Sequence, residues 1–239
     1  MDLTKREATN RTGQDASMSE KRDLDTTYLD ELASVLDSRV LPGAIGLEGT
    51  PFTGKSTLAA KLVSDLNATL IPEHTDFDLR ARDLALSLWP KDPAAAAARQ
   101  ANFYKVERQR IEAAVSALAQ GSSVVLDRTA LSVIVYSLTR AATDGTGGIS
   151  KLRDLDVLLE DTGIRFPAVL YLLQVPVTVV IERARRLAAT GSPRDIEPFL
   201  LRPMTLRLLN FFYTEISSRF RNCKVIVEGS SLVTPDLRE

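Results

Sequence analysis

Two glycines five residues apart, Gly49 and Gly54, are followed at once by Lys55, Ser56 and Thr57 in the stretch GLEGTPFTGKSTLAAKLV. This order, G-x-x-x-x-G-K-[ST], supplies what a nucleotide's phosphates need. Glycines let the main chain curl until several N–H groups face inward, and a helix starting at the second glycine adds the positive end of its dipole. A lysine then reaches the β- and γ-phosphates, and a serine hydroxyl ligates Mg²⁺. The candidate nucleotide-binding residues are therefore Gly49, Thr50, Pro51, Phe52, Thr53, Gly54, Lys55, Ser56 and Thr57.

A bound Mg²⁺ needs a further hard oxygen ligand, directly or through water. The run SSVVLDR ends an apolar stretch on Asp127, at the strand end where ligands collect in open α/β sheets. Ser56 and Asp127 are the candidate metal ligands, and Arg128 is placed to pair with a phosphoryl group. On the residues alone, an Asp-Arg pair that merely caps a strand remains an equal reading. Phosphoryl transfer also needs a screen against water and charge to offset the moving group. Arg183, Arg185 and Arg186 on one helix, with Arg194 in GSPRDIEP, have the composition of a lid over about residues 183–199. A guanine-reading Asn-Lys-x-Asp is absent from the sequence, which argues against a GTPase switch.

These residues need a scaffold, and hydrophobic periodicity outlines one. PGAIGLEG, ATLIPE, SSVVLD, PAVLYLLQV and KVIVEG read as five strands, the fourth apolar throughout as a strand covered on both faces should be. Between them lie helical patterns: TTYLDELASVLDS, the segment from Leu58 to Leu66, a long helix opened by Asp92-Pro93 and ended by Gly121, KLRDLDVLLED, PVTVVIERARRLAAT, and a last helix carrying Leu206, Leu209, Tyr213, Ile216 and Phe220. AATDGTGG reads as loop. Strands alternating with helices predict an α/β fold, a parallel sheet with helices on both faces.

The chain has 239 residues, enough to bury a full core, with 44% hydrophobic and 26% charged residues. A net charge of -1 offers no basic field for nucleic acid or an anionic membrane. One cysteine, Cys223, excludes a disulfide within the chain and fits a reducing compartment, so a cytoplasmic protein is expected. No secretory or membrane-spanning apolar segment is evident. Residues 1–24, polar and mixed in charge, read as a flexible tail, and residues 25–239 as a single domain.

From about Ala44 to Gly229 the sequence resembles the thymidylate kinases and, more distantly, the deoxynucleoside kinases. GLEGTPFTGKST is similar to that family's Phe-Glu-Gly opening and phosphate loop, DRTALSVIVYS to its Asp-Arg-Tyr signature, and PAVLYLLQVPVTVVIERARRL to the strand, Val-Pro and arginine-bearing helix before its lid. The resemblance implies a three-layer P-loop fold with five parallel strands in the order 2-3-1-4-5. It also implies transfer of the ATP γ-phosphoryl group to a nucleoside or nucleoside monophosphate, Mg²⁺ as cofactor, a small-molecule acceptor and a homodimer.

By the same resemblance, Phe103 or Tyr104 with Arg108 would address the acceptor base, Ser132 and Tyr136 would stand at acceptor positions, and Glu73 would be the base for an acceptor hydroxyl. Lys55, Arg128, Glu73, Arg183, Arg186 and Arg194 form the expected catalytic set. Thr129 replaces the family's tyrosine, Pro51 an acidic residue and Gln174 an aspartate; IPEHTDF replaces Arg-Glu-Pro. Two other readings of the same scaffold are a kinase for a non-nucleotide metabolite and a regulatory ATP-binding protein without acceptor turnover.

Overall fold

The apolar runs of the sequence come together side by side. In the computed structural model, which describes residues 29–78, 93–144, 163–190 and 198–227, the strands β1 (Val40–Glu48), β2 (Thr69–Ile71), β3 (Val124–Asp127), β4 (Phe166–Gln174) and β5 (Cys223–Val227) form one sheet. Every pairing is parallel, and the order is β2-β3-β1-β4-β5, as the resemblance implies. Parallel neighbours need crossovers. The described helices are α1 over residues 29–37, then α2 (Lys55–Leu66), α3 (His74–Phe77), α4 (Pro93–Ala119), α5 (Ala130–Asp144), α6 (Val177–Ala189) and α7 (Pro203–Ser217), with a 3₁₀ turn at Pro198–Leu201.

Successive strand residues point to opposite faces, and two cores result. Ile45, Leu47, Val125, Tyr171 and Leu173 pack against Leu58, Ala59 and Leu62 of α2. Their neighbours in sequence face the other way. Ala44, Val124 and Leu126 meet Ala114 of α4, while Leu170 and Leu172 share a cluster with Ile134 of α5, Val180 of α6, and Leu206 and Leu209 of α7. Ile45, Leu47 and Val125 are fully buried, each worth about 1.5–3 kcal/mol of transfer free energy. The sheet is thus held between helical layers, and the carboxyl ends of β1, β2 and β3 all open on one edge.

Local chemistry fixes the element ends. Gly121, at φ +83°, closes α4: its amide donates to Leu118 O at 2.9 Å, and the Ser122 amide to Ala117 O at 3.1 Å. This paired closure is the left-handed glycine stop expected from the sequence. Of the expected loop AATDGTGG, Ala141–Asp144 belong instead to α5, and the remaining residues lie outside the described ones. Ile134, Leu138 and Ala141 recur at steps of four and three on its buried stripe, which extends the helix past the first alanine. Phe220 lies beyond the end of α7, yet its ring stacks on Phe166 at 5.7 Å. The short α3 has no counterpart in the sequence reading.

The N-terminal tail, Asp92, Trp89, KLRDLDVLLED, and GSPRDIEP up to residue 197, with Arg194, lie outside the described residues, so of the expected lid only residues 183–190 and 198–199 are described. Among the described residues, no helix is long and apolar enough to cross a membrane.

Candidate active site

The loop between β1 and α2 is shaped by close approach. Gly49 sits at φ +138°, and a Cβ there would come within 2.4 Å of Leu173 O on β4. No other residue type fits that position without moving the strand. Gly54, at φ +95°, is the N-cap of α2 and offers no side chain to its first amides, which are left to face the loop. Lys55 folds back across this hollow. Its Nζ donates to Gly49 O at 3.0 Å and to Thr50 O at 2.7 Å, and lies 3.3 Å from Thr53 Oγ1. Thr53 Oγ1 in turn donates to Thr50 O at 3.0 Å. Burial, and then the charge of Arg128, lower the Lys55 pKa to about 7, against the pull of Asp127, Glu48 and Glu73. Ser56 and Thr57, on the first turn of α2, are exposed.

Ser56 Oγ donates to Asp127 Oδ2 at 2.9 Å. The other carboxylate oxygen, Asp127 Oδ1, is buried and has no hydrogen-bond partner. A buried carboxylate oxygen is rarely left unpaired. A hydroxyl and a carboxylate side by side, with one oxygen uncommitted, are the hard donors that suit Mg²⁺, which keeps several waters and takes few protein ligands.

Arg128 follows Asp127 at φ +69°, a left-handed conformation that a non-glycine residue adopts at a cost. Its guanidinium gathers the edge of the sheet. Nε donates to Glu73 Oε2 at 2.9 Å. Nη1 donates to Gly49 O at 3.3 Å and Ser132 Oγ at 3.1 Å, and lies 3.4 Å from Tyr213 OH. The Tyr136 ring lies beneath it, 5.7 Å from centroid to guanidinium carbon.

The sequence reading missed the buried charges that support this arrangement. Glu48, at the end of β1, accepts from the amide and hydroxyl of Thr129, both at 2.7 Å, from the Ser132 amide at 3.2 Å and from Ser132 Oγ at 2.7 Å. Thr129 caps α5, accepting from Leu131 N at 3.1 Å. The residue that departs from the family's tyrosine is thus the joint between β1 and α5. Arg110 of α4 is fully buried. It donates through Nε to Pro72 O at 2.8 Å and through Nη2 to Asp127 O at 3.0 Å and Arg128 O at 2.8 Å. Nη1 is paired with Glu107 Oε2, which also lies 2.9 Å from His74 Nε2. The Thr129 cap, a threonine ahead of an apolar helical run, was the readable signal among these.

The other expected residues divide. Phe103 stands edge-on to His74 at 5.9 Å and beneath Arg99 at 5.6 Å. Tyr104 is buried in the core. Arg108 is not brought to the cluster: its side chain is 61% exposed and pairs with Glu112 one turn on. The helical period explains this, since Phe103, Glu107, Arg110 and Ala114 share the inner stripe of α4 and Arg108 does not. Arg183 of α6 donates to Phe52 O at the loop tip, at 3.0 Å. Arg186, also exposed, pairs with Glu182 on its own helix.

A profile of the thymidylate kinase family matches residues 46–197. No curated protein matches the chain. Among solved structures, the fold is similar to deoxyadenosine kinase from M. mycoides with bound dCTP, at 16% identity and TM-score 0.54, covering 79% of this chain and 92% of the other. It is similar also to thymidylate kinase from Candida albicans, at 20% identity and TM-score 0.57, covering 77% and 82%.

Proposed function

The chain belongs to the thymidylate kinase family, and on that premise we propose that it transfers the γ-phosphoryl group of ATP to a nucleoside or nucleoside monophosphate. One observation supports the reading above the rest: Lys55 and Arg128 reach the same carbonyl, Gly49 O, at 3.0 and 3.3 Å, while Arg128 also holds Glu73 at 2.9 Å. The phosphate loop and the side from which an acceptor would approach therefore share one pair of cations.

In this reading the N–H groups of the loop from Gly49 to Ser56, other than Pro51, and the Lys55 ammonium bind the triphosphate, since a phosphate is a stronger acceptor than the loop carbonyls Lys55 contacts. Ser56 and Asp127 would hold Mg²⁺, which when bound offsets charge on the β- and γ-phosphates. Arg128 neutralises the transferring group. Arg183, already against the loop at Phe52, adds charge at its tip, and by the family likeness we assign Arg186 and Arg194 to offsetting charge on the transferring group. Phe103 and Tyr136 offer ring faces to an acceptor base.

Glu73 accepts the proton from an acceptor hydroxyl; a monophosphate acceptor is already anionic and needs no such base. The family likeness and the single cysteine favour a cytoplasmic homodimer. The test is a screen of nucleosides and nucleoside monophosphates with ATP and Mg²⁺, with products separated by chromatography. Acceptor-dependent ADP release with a phosphorylated nucleoside or nucleotide is expected. Turnover with only a non-nucleotide metabolite, or nucleotide binding with no acceptor turnover, would overturn it.

A further inference from the structure

Arg110 carries none of the expected chemistry, yet it joins the two backbone segments that do. The pairing of β2 with β3 ends at Ile71 opposite Leu126, so the next residues, Pro72 and Asp127, stand where the ladder stops. Proline has no N–H, and the carbonyls there would be left without strand partners. The planar guanidinium of Arg110 takes over as the next rung. Nε–H serves Pro72 O on one side, and Nη2 serves Asp127 O and Arg128 O on the other. Only arginine offers donors fixed in one plane in these directions; a lysine has one point of charge and a flexible stem.

The residues so held are the chemical ones or their immediate neighbours. Pro72 precedes Glu73, Asp127 faces Ser56, and Arg128 is kept at φ +69° with its carbonyl bonded. The charge of Arg110 is balanced by Glu107, which is fully buried beside it.

We infer that Arg110 is a positioning residue for phosphoryl transfer: it fixes Glu73 and the Asp127–Arg128 turn at a set separation by spanning the ends of β2 and β3. The kinetic part of this inference rests on the proposed function; the structural part does not. Misplacing reacting groups by about 1 Å costs about a hundredfold in rate.

The experiment compares the wild-type chain with Arg110→Lys. The expected crystal structure of the variant shows Arg128 relaxed from its left-handed conformation and its 2.9 Å contact with Glu73 lost. Expected kinetics show kcat down by about a hundredfold, with the KM for ATP within about twofold because the backbone hydrogen-bond partners of Arg110 lie at Pro72, Asp127 and Arg128 and not in the Lys55 loop. Where Arg110→Lys does not fold, the double substitution Arg110→Met with Glu107→Leu serves, since replacing a buried ion pair by apolar residues of similar volume commonly preserves folding. An unchanged Arg128–Glu73 geometry in either folded variant overturns the inference, as does a loss confined to ATP affinity. A wild-type protein lacking acceptor turnover would sink the proposed function, and the crystallographic comparison would still decide this one.

Discussion

The carboxylate of Glu73 and the guanidinium of Arg128 meet at 2.9 Å across the ends of two neighbouring strands, 55 residues apart in the chain. The pairing aims Glu73 through a partner that itself touches the phosphate loop. Glu73→Gln keeps the shape and one hydrogen-bonding oxygen but cannot take a proton. With a nucleoside acceptor its kcat is expected to fall by about 10²–10⁴-fold. With a monophosphate acceptor the loss is expected to be under about tenfold. Steady-state kinetics on the two acceptor classes separates them, and equal losses would remove Glu73 from the role of base.

Lys55 predicts a proton balance. Burial holds its pKa near 7, below the ordinary 10.5, so at pH 8 much of the free protein carries a neutral amine there. An anionic triphosphate raises that pKa again, and binding at pH 8 should take up close to about one proton. Calorimetry in buffers of different ionisation enthalpy measures the uptake. Lys55→Met should abolish it and lower kcat by about 10²–10³-fold without loss of folding.

Asp127→Asn tests the proposed metal ligands. The amide keeps a partner for Ser56 Oγ but removes the negative charge beside the unpaired Oδ1. The Mg²⁺ concentration for half-maximal activity should rise and kcat fall by about a hundredfold. Metal-free nucleotide affinity should change little, which equilibrium dialysis without Mg²⁺ reads directly.

Acid should loosen the support beneath the site. Burial would raise the Glu107 pKa, but Arg110 and His74 more than offset it, bringing it from 4.5 to about 2. Its contribution to stability is therefore complete above pH 4.5 and is lost as pH falls toward 2. His74, held below its ordinary 6.5 by burial and then by Arg110, acts in the same direction: the unfolded chain takes up its proton first, so stability declines as pH drops below 6.5. Thermal unfolding between pH 7 and 3 should show this slope. Glu107→Gln should flatten its lower part and His74→Gln its upper part.

Much of this was legible in the sequence for local reasons. The phosphate loop is contiguous, so glycine spacing and the start of α2 announce it, and Asp127 follows from an apolar run that ends on a carboxylate. The sheet order could be taken from resemblance because five short runs alternate with helices. Arg110 and Glu48 escaped because their meaning is not local. The carbonyls Arg110 serves lie 38, 17 and 18 residues away, and a charged residue in the middle of a helix reads as solvent-facing until those partners are brought in. Arg108 was taken from the resemblance, whereas the period through Phe103 and Glu107 brings Arg110 to the inner stripe of α4. Ser132, expected at the acceptor, binds Glu48 of β1 and Arg128, and lies 2.9 Å from Tyr213 OH, a contact that the packing of α5 on α7 creates.

Among the partners of the Arg128 guanidinium, two have opposing claims: Gly49 O on the loop and Glu73 just past the end of the neighbouring strand. A molecule that draws this side chain toward one claim must change its grip on the other. The two binding steps are then thermodynamically linked, and whatever factor the first compound imposes on the affinity of the second, the second must return upon the first.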